Sequence, residues 1–482
     1  MSIDLQQRIR GAVPLGEIER PDSAEVWRRG RRQRRRRRVT AVVTAVAVLF
    51  GVGSAVVSLA RVERDAPVIS GDHATEGWST MPEAPIVGRG RHGAAWTGRE
   101  VVVWGGMTRD FEFLADGAAF EAASASWRAL PPAPLEGRAS PDVVWTGEEI
   151  LIVGGHRMHG RSRDGGAEVV EVPYQVVGDE DGLPAGGSSE THYTDGAAYH
   201  PATDSWRSLA VFPLQGRAAT ATAWTGEELI IWGGVAALSS GPRPALGDGA
   251  AYDPDTDTWR ILPPAPLAAR GGAVAVWTGQ ELIVFGGTAE ADTGGGAPPD
   301  LIAFNDGAAY NPTSNTWRRI ADGPAQHAAP GFDPLAAVWT GERMLVWMGQ
   351  QAAAYDPTTD RWEQLPAWPG QSHQVSPEAV WTGSELLTWS GWQEGDDSDG
   401  GPSDAGHALT SAGTWRSLAP APIPARDDHS LTWTGNALVI WGGTVEKGGF
   451  LGLSGDNFSD TADGAIYHPG SGASSEGLRD PG

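Results

Sequence analysis

Short apolar runs recur along the chain at nearly regular intervals, each directly after a turn. The tripeptide Trp-Thr-Gly marks these turns and begins at Trp96, Trp145, Trp224, Trp277, Trp339, Trp381 and Trp433. An apolar stretch such as LIIW or LIVF follows each turn, then a segment of the DGAAY type, and then, about seven residues later, another Trp. Short apolar runs bounded by such turn residues predict four β-strands in each unit.

Seven units of four strands, repeated about every 56 residues, predict an all-β, seven-bladed β-propeller. The double glycine that ends the second strand, followed by an aromatic residue and a Trp, resembles the kelch repeat. This resemblance covers Trp78 to Tyr467 and implies a kelch-type propeller with four strands per blade. The fifth and sixth units depart from the pattern, with Met348-Gly349 and Ser390-Gly391 in place of Gly-Gly.

The repeat also predicts how the propeller closes. Only six fourth-strand Trp residues follow the Trp-Thr-Gly turns, but the sequence around Trp78 matches a fourth strand. We therefore expect residues 76–82 to form the outer strand of the last blade, so that no blade is left incomplete. The propeller domain is expected to span residues 76–468, followed by a disordered tail over 469–482.

Loops of a four-stranded blade alternate between the two ends of a propeller. We call the end with the Trp-Thr-Gly turns the short-turn face. The opposite end, with the connections between second and third strands and between blades, is the loop face. Long, irregular insertions such as residues 156–194 fall on the loop face. Insertions of this length in a repeat fold favour a binding role for that face.

Two sets of residues should ring the mouth of the central channel on the loop face, because they enter the innermost strands. Seven residues before the Trp of a turn stand Arg89, Arg138, Arg217, Arg270 and Arg426. Four residues before it stand His92 and His429. One hypothesis is a cationic collar for a carboxylate, which suits the geometry of arginine. The alternative is that each Arg pairs with neighbouring carbonyls or carboxylates. Trp392, outside the repeat, is a candidate for stacking on a sugar ring.

The segment Val39–Ala60 is uncharged and long enough to span a bilayer. The Arg-rich run over residues 28–38 precedes it, which favours a cytoplasmic N-terminus. These features predict a basic tail (1–38), a transmembrane helix (39–60) and a linker (61–75), with the propeller outside the plasma membrane. A cleaved signal peptide ending at Ala60 is the alternative.

Charge and cysteine content exclude several kinds of function. The chain carries a formal charge of −24, and residues 61–482 alone carry −31. An acidic domain of this kind does not suit nucleic-acid binding. The absence of Cys excludes disulfides and thiolate catalysis. The sequence assigns no catalytic residue, metal site or cofactor.

These patterns favour a recognition module that binds a protein or glycan outside the cell, more than an enzyme. The kelch resemblance also implies an alternative, a carbohydrate-active enzyme similar to sialic-acid mutarotases or to a copper-free oxidase. The Tyr–Cys cofactor of galactose oxidase cannot form in a chain without Cys. A third interpretation is a surface sensor whose residues 1–38 bind a cytosolic partner.

Overall fold

The computed structural model describes residues 77–159, 189–237, 243–291, 300–324, 335–348, 351–367, 369, 378–390, 392–393, 401–410, 413–446 and 458–470. Across these ranges the regular structure is β-strand, which confirms the all-β class, and no helix has the length and apolarity needed to cross a membrane. The predicted tail 1–38, span 39–60 and linker 61–75 lie outside the described residues, as does 471–482 of the predicted C-terminal tail.

Within the described part of the chain, seven antiparallel sheets have four strands each. The strands are given from innermost to outermost. Sheet 1 comprises Gly93–Trp96, Glu100–Trp104, Gly117–Glu121 and Ser126–Ala129. Sheet 2 comprises Asp142–Trp145, Ile150–Val153, Gly196–His200 and Ser205–Ser208. Sheet 3 comprises Ala221–Trp224, Leu229–Trp232, Gly249–Asp253 and Thr258–Ile261. Sheet 4 comprises Val274–Trp277, Leu282–Phe285, Gly307–Asn311 and Thr316–Arg319.

The remaining sheets follow the same order. Sheet 5 comprises Leu335–Trp339, Met344–Met348, Gln351–Asp356 and Arg361–Leu365. Sheet 6 comprises Glu378–Trp381, Glu385–Trp389, Gly406–Thr410 and Trp415–Ser417. Sheet 7 comprises Ser430–Trp433, Leu438–Trp441, Gly464–His468 and, from the start of the described chain, Gly77–Thr80.

The N-terminal strand completes sheet 7. Gly77–Thr80 pairs with Gly464–His468, and Trp78 lies opposite Tyr467. The pairing continues beyond the strand, because the Met81 amide donates to the Gly464 carbonyl at 2.9 Å. This confirms the closing strand predicted over residues 76–82. Since Gly77 lies opposite His468, the described chain enters the fold at the short-turn face.

The innermost strands lie side by side in chain order, and that of sheet 7 returns to that of sheet 1. The apolar core lies between neighbouring sheets: Val102 and Trp104 of sheet 1, for example, pack with Ile150 and Ile152 of sheet 2. Second strands are buried on both faces, which explains their unbroken apolar sequence. The sheets therefore form a β-propeller.

A ring of indole hydrogen bonds joins the outer strands. Each fourth-strand Trp donates its Nε1–H to a carbonyl just beyond the fourth strand of the preceding sheet, at 2.7–3.1 Å. The donor and acceptor pairs are Trp127 and Pro82, Trp206 and Pro131, Trp259 and Ala210, Trp317 and Pro263, Trp362 and Ala321, Trp415 and Pro366, and Trp78 and Ala419. Trp78 thus closes this ring as well.

Short accessory strands extend the sheets on the loop face. They pair as His156–His159 with Ser189–His192, Arg217–Ala218 with Val235–Ala236, Thr288–Ala291 with Asp300–Ala303, and Trp392–Gln393 with Gly401–Pro402. A three-stranded group joins Arg426–Asp427, Thr444–Glu446 and Phe458–Asp460. Several of the long insertions therefore leave the propeller as antiparallel hairpins.

Candidate functional site

The five arginines of the predicted collar are buried, with Arg217 the most exposed at 4%. Each guanidinium is held in the same way, as Arg270 illustrates. Its Nε donates to the Ala268 carbonyl at 2.9 Å, and its Nη1 lies 2.6 Å from a carboxylate oxygen of Asp306. Arg89, Arg138, Arg217 and Arg426 make the equivalent ion pairs with Asp116, Asp195, Asp248 and Asp463. This placement favours the structural alternative that the sequence left open.

The backbone of the same arginines joins neighbouring sheets. The second glycine of three double glycines donates its N–H to the Arg carbonyl of the next sheet at 2.8 Å; the pairs are Gly106 and Arg138, Gly234 and Arg270, and Gly443 and Arg89. Gly106 has a φ of 92°, and a Cβ there would lie 2.7 Å from the Gly90 oxygen. The close approach and the left-handed backbone both require glycine. The Arg and Gly-Gly positions therefore stabilise the contacts between neighbouring sheets.

His92 and His429 are also packing residues. Their rings meet Trp441 and Trp389 edge to face, at centroid distances of 4.8 and 5.1 Å. Burial, reinforced by the nearby Arg89 for His92 and Arg426 for His429, lowers the pKa of both imidazoles to about 3. Both side chains are therefore neutral at physiological pH and do not supply a cationic collar.

The mouth of the channel is formed two residues beyond each buried Arg. The residues there have left-handed φ values of 49–64° and stand just before the innermost strands; they are Arg91, Ser140, Ala219, Gly272 and Asp428. Their backbones are linked around the channel, because the Arg91 amide donates to the Asp428 carbonyl at 2.9 Å and the Ser140 amide to the Arg91 carbonyl at 2.7 Å. Non-glycine residues adopt this conformation only when neighbours hold them.

Among the described residues at this mouth, Arg91 and Asp428 carry charged side chains that pair with each other. Arg91 Nε lies 2.9 Å from Asp428 Oδ2, and the two side chains are 24% and 40% exposed. Burial, together with the charge of Asp428, raises the pKa of Asp427 to about 7, although Arg91 acts in the opposite direction. A partly exposed guanidinium therefore stands beside a carboxyl group that titrates near neutrality. The sequence offered Asp427 and Asp428 as partners of the buried arginines, whose carboxylate partners are instead Asp116, Asp195, Asp248, Asp306 and Asp463. Arg91 was not predicted, because it lies outside the repeated Arg position.

A second polar cluster lies on the hairpin of sheet 2. His156 is the register partner of His192, and Glu190 contacts both His192 Nε2 at 3.1 Å and Arg243 Nη2 at 3.7 Å. Burial alone would raise the pKa of Glu190, but His192 and Arg243 together lower it to about 2. Burial lowers the pKa of His156 to about 4, with smaller contributions from His192 and Arg91. The charge of Arg91 therefore acts on His156 of this cluster.

The short-turn face carries a different network, which also escaped the sequence analysis. An Arg after the fourth-strand Trp pairs with a second-strand Glu of its own sheet at 2.6–2.8 Å; the pairs are Arg128 and Glu100, Arg207 and Glu149, Arg260 and Glu228, Arg318 and Glu281, and Arg416 and Glu385. Several of these Arg residues also donate to a Tyr hydroxyl of the next sheet, as Arg128 does to Tyr199 at 2.9 Å. The signal was present in the sequence as a repeated Trp-Arg dipeptide.

The structure adds no metal or stacking site. Among the described residues, no group of three His, Asp or Glu side chains is arranged to hold a metal ion. Trp392 lies in an accessory strand opposite Pro402, but its side chain falls outside the described part of the chain. Its role in stacking on a sugar stays a prediction.

The chain forms a β-propeller in its described residues, and its Gly-Gly turns resemble those of the kelch repeat. No protein-family model matches it. Among curated proteins, N-acetylneuraminate epimerase of Yersinia enterocolitica serotype O:8 / biotype 1B is 28% identical over 144 residues, covering 24% of this chain and 37% of that protein. The chain thus matches about a third of that relative's length. Among solved structures, YjhT is similar with a TM-score of 0.45 and 14% identity, over 80% of this chain and 95% of that one.

Proposed function

We propose that the chain is a seven-bladed kelch-type propeller that binds an acidic saccharide at the channel mouth on the loop face. In this proposal the segment 39–60 tethers the propeller outside the plasma membrane, where it recognises its ligand. The observation that carries the proposal is the Arg91 side chain, which a left-handed backbone holds at the mouth and which is 24% exposed. Because the described chain enters at the short-turn face, its entry leaves the loop face open.

A ligand carboxylate could join Asp428 at the Arg91 guanidinium. The ion pair of Arg91 with Asp428 is partly exposed, at 24% and 40%, and ion pairs in contact with solvent contribute little to stability. A ligand carboxylate can offer the guanidinium two parallel hydrogen bonds, which are stronger than a single contact in water. The other charged groups at the mouth, Asp427 and Asp428, can accept hydrogen bonds from sugar hydroxyls. The arrangement therefore suits a ligand with one carboxylate and several hydroxyl groups.

The comparison with known proteins agrees with this class of ligand. The curated relative is named for N-acetylneuraminate, an acidic sugar. The match covers only part of that protein, so its substrate serves here as the first compound to test. Sugar binding by a propeller needs convergent polar groups at a concave site, and the proposal assigns Arg91, Asp427 and Asp428 to that role.

Replacing Arg91 by Gln tests the binding site. We expect the purified full-length chain to bind N-acetylneuraminate, and we expect Arg91→Gln to weaken the affinity roughly 10- to 100-fold, because a charge-assisted hydrogen bond contributes about 1.5–3 kcal/mol. Isothermal titration calorimetry measures the change. The matched control is Arg99→Gln, which removes another exposed Arg in an ion pair on the short-turn face. Equal affinity of Arg91→Gln and the wild type would contradict the assignment.

A second candidate function is interconversion of sugar anomers at the same mouth. It is favoured by Asp427, because a carboxyl group with a pKa of about 7 can both give and take a proton at neutral pH. The Asp427 carboxylate would remove the proton of the anomeric hydroxyl as the bond between the anomeric carbon and the ring oxygen breaks, and the carboxyl group so formed would give that proton to the ring oxygen. The products are the open-chain carbonyl form and the regenerated carboxylate, and the reverse steps close the ring on the other face.

The pH profile of this reaction provides its test. Since the base form of Asp427 is populated above its pKa, the enzymatic rate should rise as the pH increases through about 7. Asp427→Asn should lower the rate roughly 100-fold or more, whereas binding should persist, because the Asn amide oxygen can still accept a hydrogen bond from a sugar hydroxyl and Arg91 is unchanged. Magnetisation-transfer NMR between the anomers of N-acetylneuraminate measures the rate. A wild-type rate no faster than the spontaneous reaction would leave binding alone as the function.

A further inference from the structure

The hairpin His156–His159 with Ser189–His192 presents three ionisable side chains on one face. His156 and His192 are directly opposite each other, and Glu190 lies two residues before His192 on the same strand. Alternate residues of a strand share a face, so Glu190 and His192 point to the same side. The His156 and His192 rings meet edge to face at 6.1 Å.

Four polar atoms of this cluster are buried and make no hydrogen bond to the described residues. They are Nδ1 of His156, Nδ1 and Nε2 of His192, and Oε2 of Glu190. The His192 side chain is 1% exposed and that of Glu190 is 10% exposed. His192 Nε2 lies within ion-pair distance of Glu190 Oε1 but lacks hydrogen-bond alignment. Two of them still have an ionic neighbour, because Glu190 Oε2 lies 3.7 Å from Arg243 Nη2 and His192 Nε2 lies 3.1 Å from Glu190 Oε1. Buried polar atoms in native proteins are almost always paired, so the Nδ1 atoms of His156 and His192 point to a bound group.

The chemistry of the four atoms selects the group. An ionised carboxylate oxygen only accepts hydrogen bonds, whereas a neutral imidazole donates from one nitrogen and accepts at the other. A hydroxyl group both donates and accepts, so it can satisfy either kind of atom. Two adjacent hydroxyls could bridge Glu190 and His192 at once. A second carboxylate would instead be repelled by Glu190.

The position of the hairpin links it to the channel mouth. The His156 amide donates to the Ala139 carbonyl at 3.0 Å, and the Ala139 amide donates back to His156 at 2.9 Å. The next residue, Ser140, donates its amide to the Arg91 carbonyl. A ligand whose carboxylate contacts Arg91 would therefore extend over the start of this hairpin.

We propose that His156, Glu190 and His192 form a hydroxyl-binding subsite that takes a vicinal diol of the saccharide anchored at Arg91. This inference rests on the proposed function and names the part of the ligand that gives specificity. A site built to hydrogen-bond a hydroxyl discriminates strongly against an analogue that lacks it, because its own buried polar groups are then left unpaired.

The test compares two compounds on the full-length chain by calorimetry. One is N-acetylneuraminate, and the other is an analogue whose glycerol-like side chain has been shortened to remove the vicinal diol. The wild type should bind the complete sugar at least about tenfold more tightly. Glu190→Gln, close in shape to the native residue, should lose that preference. Arg91→Gln should weaken both compounds by a similar factor, and the exposed Glu148→Gln should change neither.

The outcomes separate the two proposals. Equal affinity of the wild type for both compounds, or an unchanged preference in Glu190→Gln, overturns the subsite. If the wild type binds neither compound, the proposed function fails, and the subsite is then judged with the neutral polyol xylitol. In that case a shift of the His156 or His192 ring signals in NMR spectra that is absent from Glu190→Gln supports the subsite. No such shift overturns it.

Discussion

Replacing Arg270 by Met is expected to lower the free energy of unfolding by about 3 kcal/mol, because it removes one partner of a buried ion pair. The change strips Asp306 of its 2.6 Å contact and leaves the carbonyls of Ala268 and Gly286 without their side-chain donor. It also removes the stacking of the guanidinium on the Phe304 ring at 3.9 Å. Urea denaturation followed by tryptophan fluorescence measures the loss.

The matched control is Arg99→Met. Arg99 also pairs with a carboxylate, but its side chain is 73% exposed, so we expect no measurable change in the free energy of unfolding. If Arg270→Met were as stable as this control, the buried arginines would not fasten the propeller. The hypothesis that the buried arginines bind a ligand carboxylate would then be favoured again.

Removing the closing strand is expected to have the largest effect on the fold. Deletion of residues 77–84 takes away the outer strand of sheet 7, the buried Met81 and the Trp78 link in the indole ring. The third strand of sheet 7 would become an open edge, which invites aggregation. We expect calorimetry to show no cooperative unfolding transition for this deletion.

A single substitution tests the contribution of the Trp78 side chain while the closing strand stays in place. Trp78 packs on Tyr467 with ring centroids 5.0 Å apart, and its indole donates to Ala419 at 2.7 Å. Trp78→Ala should therefore cost about 3 kcal/mol, while the exposed Val211→Ala should cost less than about 0.5 kcal/mol. A deletion that unfolds at the wild-type temperature would show that closure does not depend on this strand.

The repeat allowed the strands and the closing strand to be predicted, because each feature follows from local turn and apolar patterns. Trp-Thr-Gly turns and Gly-Gly turns fix strand ends through backbone conformation, and the seventh outer strand followed from the missing Trp. The departure in the sixth unit also has a local reason. Ser390 adopts a φ of 69° like the glycine it replaces, and its Oγ donates to the Arg426 carbonyl at 2.7 Å.

The candidate site could be predicted only as far as the face on which it lies. The sequence places an Arg near the channel mouth but does not show which side chain points outward. A left-handed residue two positions later turns Arg91 to the surface while Arg89 stays buried. The cluster of His156, Glu190 and His192 could not be predicted from the sequence, because 33 residues separate His156 from Glu190. Their pairing depends on strand register, which the insertion hides.

Differences among the sheets show that the network on the short-turn face keeps a pair of opposite charges even where the two residue types are exchanged. In sheet 5 the pair is reversed, with Arg343 just before the second strand and Glu363 after the Trp, and the next sheet carries Leu409 at the Tyr position. In sheet 7 the corresponding residues are Ala437 and Ser79, and the next sheet carries Phe120 at the Tyr position. The hydroxyl is thus absent where its Arg donor is absent. Repeats of one chain, compared with each other, carry this information without any second sequence.

The most direct test of the account is a crystal structure of the protein with N-acetylneuraminate bound. The account predicts the sugar at the channel mouth on the loop face, with its carboxylate against Arg91 and its side chain over the hairpin that carries Glu190. A sugar seated on the short-turn face instead, for example beside Trp127 and Trp145, would contradict it. So would an unchanged Arg91–Asp428 pair with no sugar at the mouth at saturating concentration.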